Sequence, residues 1–299
     1  MTDQKRRLPN LFLVGAMKSA TTSLHKYLDM HPDIFMSKKP KEPDYFVKEI
    51  NYNKGMDWYL SLFDNAANEK YLGESSTSYT KAPEFGGVPE RIHDLCPDAK
   101  IIYIMRDPIE RAISQYWWEV QYGAEGRTMT DAIKNSNRTL NIGNYVMQIR
   151  PYIQLFGAEN VYTLTTEELV ALPEETMKKI FSWLNVDADY KLADEFKAFN
   201  KSKENITRVV GSGFLSSLKE TPLWDFLKKI VPSSTRLKIL SFVRRNLSKP
   251  VDKNDEYRDE TIAFLRPIMQ KQVQELSELL GREFPEWKTL YGNEPSVKP

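Results

Sequence analysis

The chain has one cysteine, Cys96, and three histidines among its 299 residues. A single thiol excludes an intramolecular disulfide, and the sequence offers no cluster with metal-ligand spacing. An excess of one charge is missing too: 42 Lys+Arg stand against 41 Asp+Glu, a net charge of +1. That balance gives no global field for nucleic acid or an anionic membrane, so any anion site must be local. No apolar run approaches the roughly 20 residues of a membrane span. The polar, basic lead from Met1 to Pro9 is followed by no signal-peptide core. These absences set the expectation of a soluble, cytoplasmic protein with no nucleic-acid partner, no metal and no membrane span. What is present is a hydrophobic fraction of 41%, enough to bury one sizeable core, read as a single domain over 1–299 with 1–9 as a lead.

Strand and helix patterns alternate along the chain. Leu11 to Val14 is a buried-strand run, followed by a loop and a helix reaching Met30. Lys70 to Thr77 reads as a short strand leaving into a hydroxyl-rich turn, and Lys100 to Met105 as a buried strand. Asp107 and Pro108 then open a helix with Ile109, Ala112, Ile113, Tyr116 and Trp117 at helical spacing. Further helices are predicted over Tyr145–Phe156 and Glu174–Leu184, with a strand at Val161–Leu164 between them. Asn200 to Lys253 is irregular apart from an apolar helix near Leu237 to Val243. A long helical pattern runs from Ile262 to Leu280, stopped by Gly281. The alternation predicts an α/β fold: a P-loop NTPase-like parallel sheet flanked by helices on both faces, with ligands at the carboxyl ends of its strands.

The first strand runs into Gly15-Ala16-Met17-Lys18-Ser19-Ala20-Thr21-Thr22-Ser23. Small residues between a strand and a helix start aim backbone N–H groups and the helix dipole at one place, which favours an anion. A Walker A frame laid on Gly15 puts Ala20 at the second glycine, Thr21 at the lysine and Thr22 at the magnesium-binding hydroxyl. The kinase lysine is therefore missing from its place, and Lys18 stands inside the loop instead. The second strong strand ends in Arg106, followed by Asp107 and, two helical turns on, Ser114. An arginine and a serine so placed can hold one phosphate between them.

Taken in order, these motifs resemble those of sulfotransferases that use 3′-phosphoadenosine 5′-phosphosulfate (PAPS). The heparan sulfate branch and its soluble bacterial relatives are nearest. "MKSATTSL" resembles the 5′-phosphosulfate loop, "IIYIMRDPIERAISQY" the 3′-phosphate strand and helix, "KEPDYF" the Lys-Glu-x-x-Phe-Phe segment and "GESSTSYT" the Glu-Lys-x-Pro-x-Tyr segment. A weaker likeness continues through "FNKSKENITRVVGSG" to "ELLGREFPEW".

The resemblance implies that Lys18, the amides of Ser19, Ala20, Thr21, Thr22 and Ser23 and the hydroxyls of Thr21 and Thr22 bind the 5′-phosphosulfate. Arg106 and Ser114 bind the 3′-phosphate. Glu42, beside Lys41, is the general base, with Glu74 and His31 as rivals. Lys203, Arg208 and Lys249 are further cofactor or acceptor contacts. No metal is demanded. Two departures stand out: Ala20 replaces the family's usual glycine, and Ser75 replaces a lysine of the heparan branch. The acceptor is left open among a glycan, a lipid, a small metabolite and a carrier-bound acyl chain. The competing readings are an ATP-dependent P-loop kinase and a non-catalytic nucleotide-binding protein of the same fold.

Overall fold

The structure is a computed structural model that describes residues 6–122, 125–192, 206–209, 248–251 and 257–292, with 206–209 and 248–251 described as backbone. Contacts gather the chain into two compact units. One comprises Met1–Arg111, Asn141–Lys201 and Met269–Pro299, the other Ala112–Leu140 and Ser202–Ile268.

The first unit holds a parallel sheet of β1 (Leu11–Gly15), β2 (Ile34–Met36), β3 (Tyr71–Ser75), β4 (Lys100–Met105) and β5 (Val161–Thr165), in the order β2-β3-β1-β4-β5. The described helices are α1 (Thr21–Asp29), α2 (Gly55–Ser61), α3 (Val88–Leu95), α4 (Pro108–Gln121), α5 (Met129–Lys134), α6 (Asn137–Gly143), α7 (Tyr145–Phe156), α8 (Thr166–Ala171), α9 (Pro173–Leu184), α10 (Arg258–Leu280) and α11 (Lys288–Tyr291).

Alternate strand residues serve opposite faces. Leu11, Leu13, Ile102 and Ile104 pack with Leu24 and Leu28 of α1 and with Ile180 and Phe181 of α9. On the other face Phe12 meets the edge of Phe46, and Tyr103 that of Tyr145 on α7. Both faces are buried, which is why β1 and β4 are continuous apolar runs instead of alternating ones. The expected sheet with helices on both faces is borne out. Unanticipated were β2, only three residues long, and the short helices α2, α3 and α8. α8 is opened by a capping box in which Thr165 and Glu168 satisfy each other's backbone N–H groups.

In the second unit Thr130 bonds Thr261 at 2.9 Å, and Lys134 pairs with Glu260 at 2.9 Å. An antiparallel ribbon of β6 (Ile206–Val209) and β7 (Ser248–Val251) sets Arg208 directly opposite Lys249. Lys203 and the helix expected near Leu237 to Val243 lie outside the described residues. No helix among the described residues is long and apolar enough to cross a membrane.

Candidate active site

β3, β1 and β4 are neighbours in the sheet, and the segments leaving their carboxyl ends carry the chemistry. At the end of β1, Gly15 has φ 151°, and a Cβ there would overlap the Thr80 hydroxyl, which donates to the Val14 carbonyl at 2.8 Å. Only glycine fits that crossing. The loop then folds on itself: Ala16 N–H donates to Ile104 O at 2.7 Å and Ser19 N–H to Ala16 O at 3.2 Å.

Two residues of the loop, Lys18 (φ 70°) and Ala20 (φ 59°), occupy the left-handed region. There an L side chain costs roughly 1–2 kcal/mol. Ala20, the residue before α1, gives no side-chain cap in return. Ala20→Gly is therefore expected to raise stability by about 0.5–1 kcal/mol, measured by urea denaturation without ligand. An unchanged midpoint would mean that the left-handed residue carries no strain.

Ser23 N–H is spent on Ala20 O at 3.0 Å, as Ser19 N–H is on Ala16, whereas the N–H groups of Ala20 and Thr21 meet no acceptor among the described residues. The Ser19 side chain is fully buried, and its Oγ has no partner. Lys18 is half-buried with no ion pair or hydrogen bond among the described residues. Burial, and then the charge of Arg106, pushes its ammonium below the ordinary lysine range. Two cations held within each other's field, beside unpaired N–H groups and an orphaned hydroxyl, are a donor set that fits a phosphosulfate.

Arg106 leaves β4 with its backbone clasped by the Tyr145 hydroxyl, which donates to Arg106 O at 2.7 Å and accepts from Arg106 N–H at 3.4 Å. Its guanidinium is 30% exposed and reaches Glu110 only at 3.8 Å. Asp107 faces elsewhere. One carboxylate oxygen caps α4 by accepting the N–H groups of Ile109 and Glu110 at 3.0 and 3.3 Å, and the other accepts Leu290 N–H at 3.0 Å. An aspartate engaged at both oxygens by backbone is a helix cap, not the carboxylate that supports magnesium in a kinase. Ser114 is half-buried on α4 and belongs to the second unit, as do Arg208 and Lys249.

At the end of β3 the hydroxyl-rich turn grips the loop that follows β2. Thr77 Oγ1 donates to Glu42 Oε2 at 2.9 Å, and Lys41 Nζ to Glu42 Oε1 at 3.0 Å. Burial pushes the Glu42 carboxyl up, but Lys41, those two hydrogen bonds and the charge of Lys81 outweigh it and hold it below the usual carboxylate range. Asp44 lies close by, pushed up to about 6 by burial and by the Glu42 charge.

The rivals for the base are enclosed. Glu74 is fully buried and accepts from Tyr59, Tyr79 and Ser76, and burial lifts its pKa to about 7. His31 accepts Asp33 N–H on Nδ1 at 3.1 Å, which leaves Nε2–H to donate to Asp187 O at 3.0 Å; its ring lies against Phe181 and Tyr190.

Two features went unread in the sequence. Ser75 bonds His25 Nδ1 at 2.7 Å, a buried pair. Burial, then Lys41 and Lys38, takes that imidazole down to about 4. The other feature is the Tyr145 clasp on Arg106. Both span tens of residues, and no local spacing encodes them.

Several known proteins are similar to this chain. The human bifunctional heparan sulfate N-deacetylase/N-sulfotransferase 3 is 30% identical over 208 residues, which are 63% of this chain and 23% of that protein. The enzyme named bifunctional heparan sulfate N-deacetylase/N-sulfotransferase 1 of Caenorhabditis elegans is 24% identical over 284 residues, 81% of this chain and 32% of that protein. The chain spans well under half the length of these curated relatives. A solved sulfotransferase from Alicyclobacillus acidocaldarius shares the fold at a TM-score of 0.66 and 23% identity, covering 94% of this chain and 99% of that one. The sulfotransferase domain family matches residues 8–283, and the chain belongs to that family.

Proposed function

We propose that the chain transfers a sulfuryl group from PAPS to a hydroxyl or amine of an acceptor. The observation that carries this reading is the Lys18–Arg106 pair of cations at neighbouring strand ends, the first without a counter-ion among the described residues, with Glu42 on the loop pinned to the next strand end. Glu42 takes the proton of the acceptor's O–H or N–H as that atom bonds to sulfur. The sulfur–oxygen bond to the 5′-phosphate breaks, and Lys18 with the N–H groups of Ala20 and Thr21 stabilises the charge left on the departing phosphate oxygen. Arg106 and, on the sequence resemblance, Ser114 hold the 3′-phosphate. Lys203, Arg208 and Lys249 remain proposed contacts on the same ground, and residues 1–299 are proposed to serve this one reaction. Because the neutral Ser75–His25 pair replaces a lysine, the acceptor is not carried over from the heparan relatives.

Thermal unfolding with 3′-phosphoadenosine 5′-phosphate (PAP), or with ATP and magnesium, tests the reading on the wild type and on Arg106→Ala. A ligand at 100 times its dissociation constant adds about 2.7 kcal/mol. Stabilisation by PAP is expected, with most of it lost in Arg106→Ala. Stabilisation by magnesium–ATP alone would overturn the sulfotransferase reading in favour of a kinase. If Arg106→Ala weakened adenosine 5′-phosphosulfate as much as PAPS, the 3′-phosphate assignment would be wrong.

A further inference from the structure

Three successive residues of the Glu42 loop, Asp44, Tyr45 and Phe46, are each held by a different side chain, and all three of those side chains converge on Glu74. Asp44 N–H donates to Ser76 Oγ at 3.0 Å, and Ser76 donates to Glu74 Oε2 at 2.6 Å. The Tyr45 ring stacks on Tyr59 at 4.3 Å and 9°, and the Tyr59 hydroxyl donates to Glu74 Oε1 at 2.8 Å. Phe46 N–H reaches the Tyr79 hydroxyl at 3.4 Å, its ring meets Tyr79 edge-on at 5.8 Å, and Tyr79 donates to the same Glu74 oxygen at 2.7 Å. An amide can only donate, so the hydroxyls of Ser76 and Tyr79 must accept from the loop and spend their own protons on Glu74. Two links therefore run one way, from a loop amide through a hydroxyl to Glu74, and the third is a ring stack.

We propose that Glu74 is a positioning residue that fixes the Glu42 loop through Ser76, Tyr59 and Tyr79. Its meaning for catalysis rests on Glu42 being the base; the anchoring does not. Ser76→Ala cuts one link and removes no ionisable side chain, so the titration of Glu42 in acid, where Glu74 is protonated in both proteins, reports loop position. The charged and titratable groups around Glu42 are Lys41, Lys81, Asp44 and His25, and none of them is altered.

The test is carbon-13 detection of the Glu42 carboxyl across pH, with amide exchange at Asp44 and Phe46, in the wild type, Ser76→Ala, Tyr79→Phe and Glu74→Gln. In Ser76→Ala the Glu42 midpoint is expected to rise toward the ordinary carboxylate value as the Thr77 contact loosens. Asp44 exchange should quicken about tenfold, the loss of one hydrogen bond, with Ile102 in β4 unchanged. Should Glu74→Gln fail to fold, Ser76→Ala and Tyr79→Phe decide. A Glu42 midpoint and Asp44 and Phe46 exchange that match the wild type in the folded variants would overturn the proposal. Normal turnover in Glu42→Gln would instead overturn the base reading, and the titration result would stand apart from it.

Discussion

Lys18→Met is expected to lower sulfuryl transfer by about 10²- to 10³-fold, the usual loss when one preorganised charge is taken from a developing oxyanion, while making the ligand-free protein more stable. The two halves of this result have one cause. Burial and the nearby Arg106 push the Lys18 ammonium below its ordinary range, so folding disfavours its charged form. At neutral pH Lys18 is protonated in the unfolded chain, and the cost of keeping it charged in the fold is fully present. It fades only as pH rises toward the ordinary lysine value. Met keeps the length of the side chain and removes that cost. It also keeps the left-handed backbone strain at φ 70°, so the stability change reads the charge alone. Urea denaturation without ligand and PAP release from PAPS with an acceptor that supports wild-type turnover measure the two effects. A less stable variant with intact turnover would show that Lys18 holds the loop together instead of serving the anion.

Such a trade of stability for function is legible in the sequence only where its parts are neighbours in the chain. Lys18 lies three residues after Gly15 and directly before the small residues that open α1, so the loop's chemistry could be read locally. The cost of Ala20 could also be anticipated, because it stands where the resembling family has glycine, and an alanine at positive φ is strained. β1, β4 and α7 stood out because a strand buried on both faces is an unbroken apolar run and an amphipathic helix a periodic one. β2 has three residues, too few to show a period, and the capping box that starts α8 went unread although Thr165 and Glu168 carry its signature. The acid–base machinery was half legible. Glu42 was chosen by resemblance and its main charge partner, Lys41, is its chain neighbour, but the Thr77 hydroxyl that also holds it lies 35 residues away, and what anchors its loop is Glu74, brought close by the pairing of β2 with β3. Strand order is a property of the whole sheet, and no local pattern states it.

Glu42→Gln is expected to suppress turnover by about 10²- to 10⁴-fold, the typical contribution of a positioned base, while leaving PAP affinity within about twofold, because the carboxylate bonds Lys41 and Thr77 and none of the cations assigned to the phosphates. The wild-type pH profile should carry a second signature. Glu42, held below the usual carboxylate range, is already ionised across the neutral region, so its own protonation limits the rate only in acid. Asp44, with its carboxyl at about 6, changes charge within that region. As pH rises through 6 its new negative charge raises the proton affinity of Glu42, and a stronger base takes the acceptor's proton more readily. Turnover should therefore climb through pH 6 and then level off. Asp44→Asn should remove the climb without removing activity, whereas Glu42→Gln should lower the rate at every pH. A profile flat through pH 6 in the wild type would separate Asp44 from the reaction. Full activity in Glu42→Gln would move the base to another group, and with Glu74 and His31 both enclosed Asp44, the other carboxylate of this loop, would be the first to substitute.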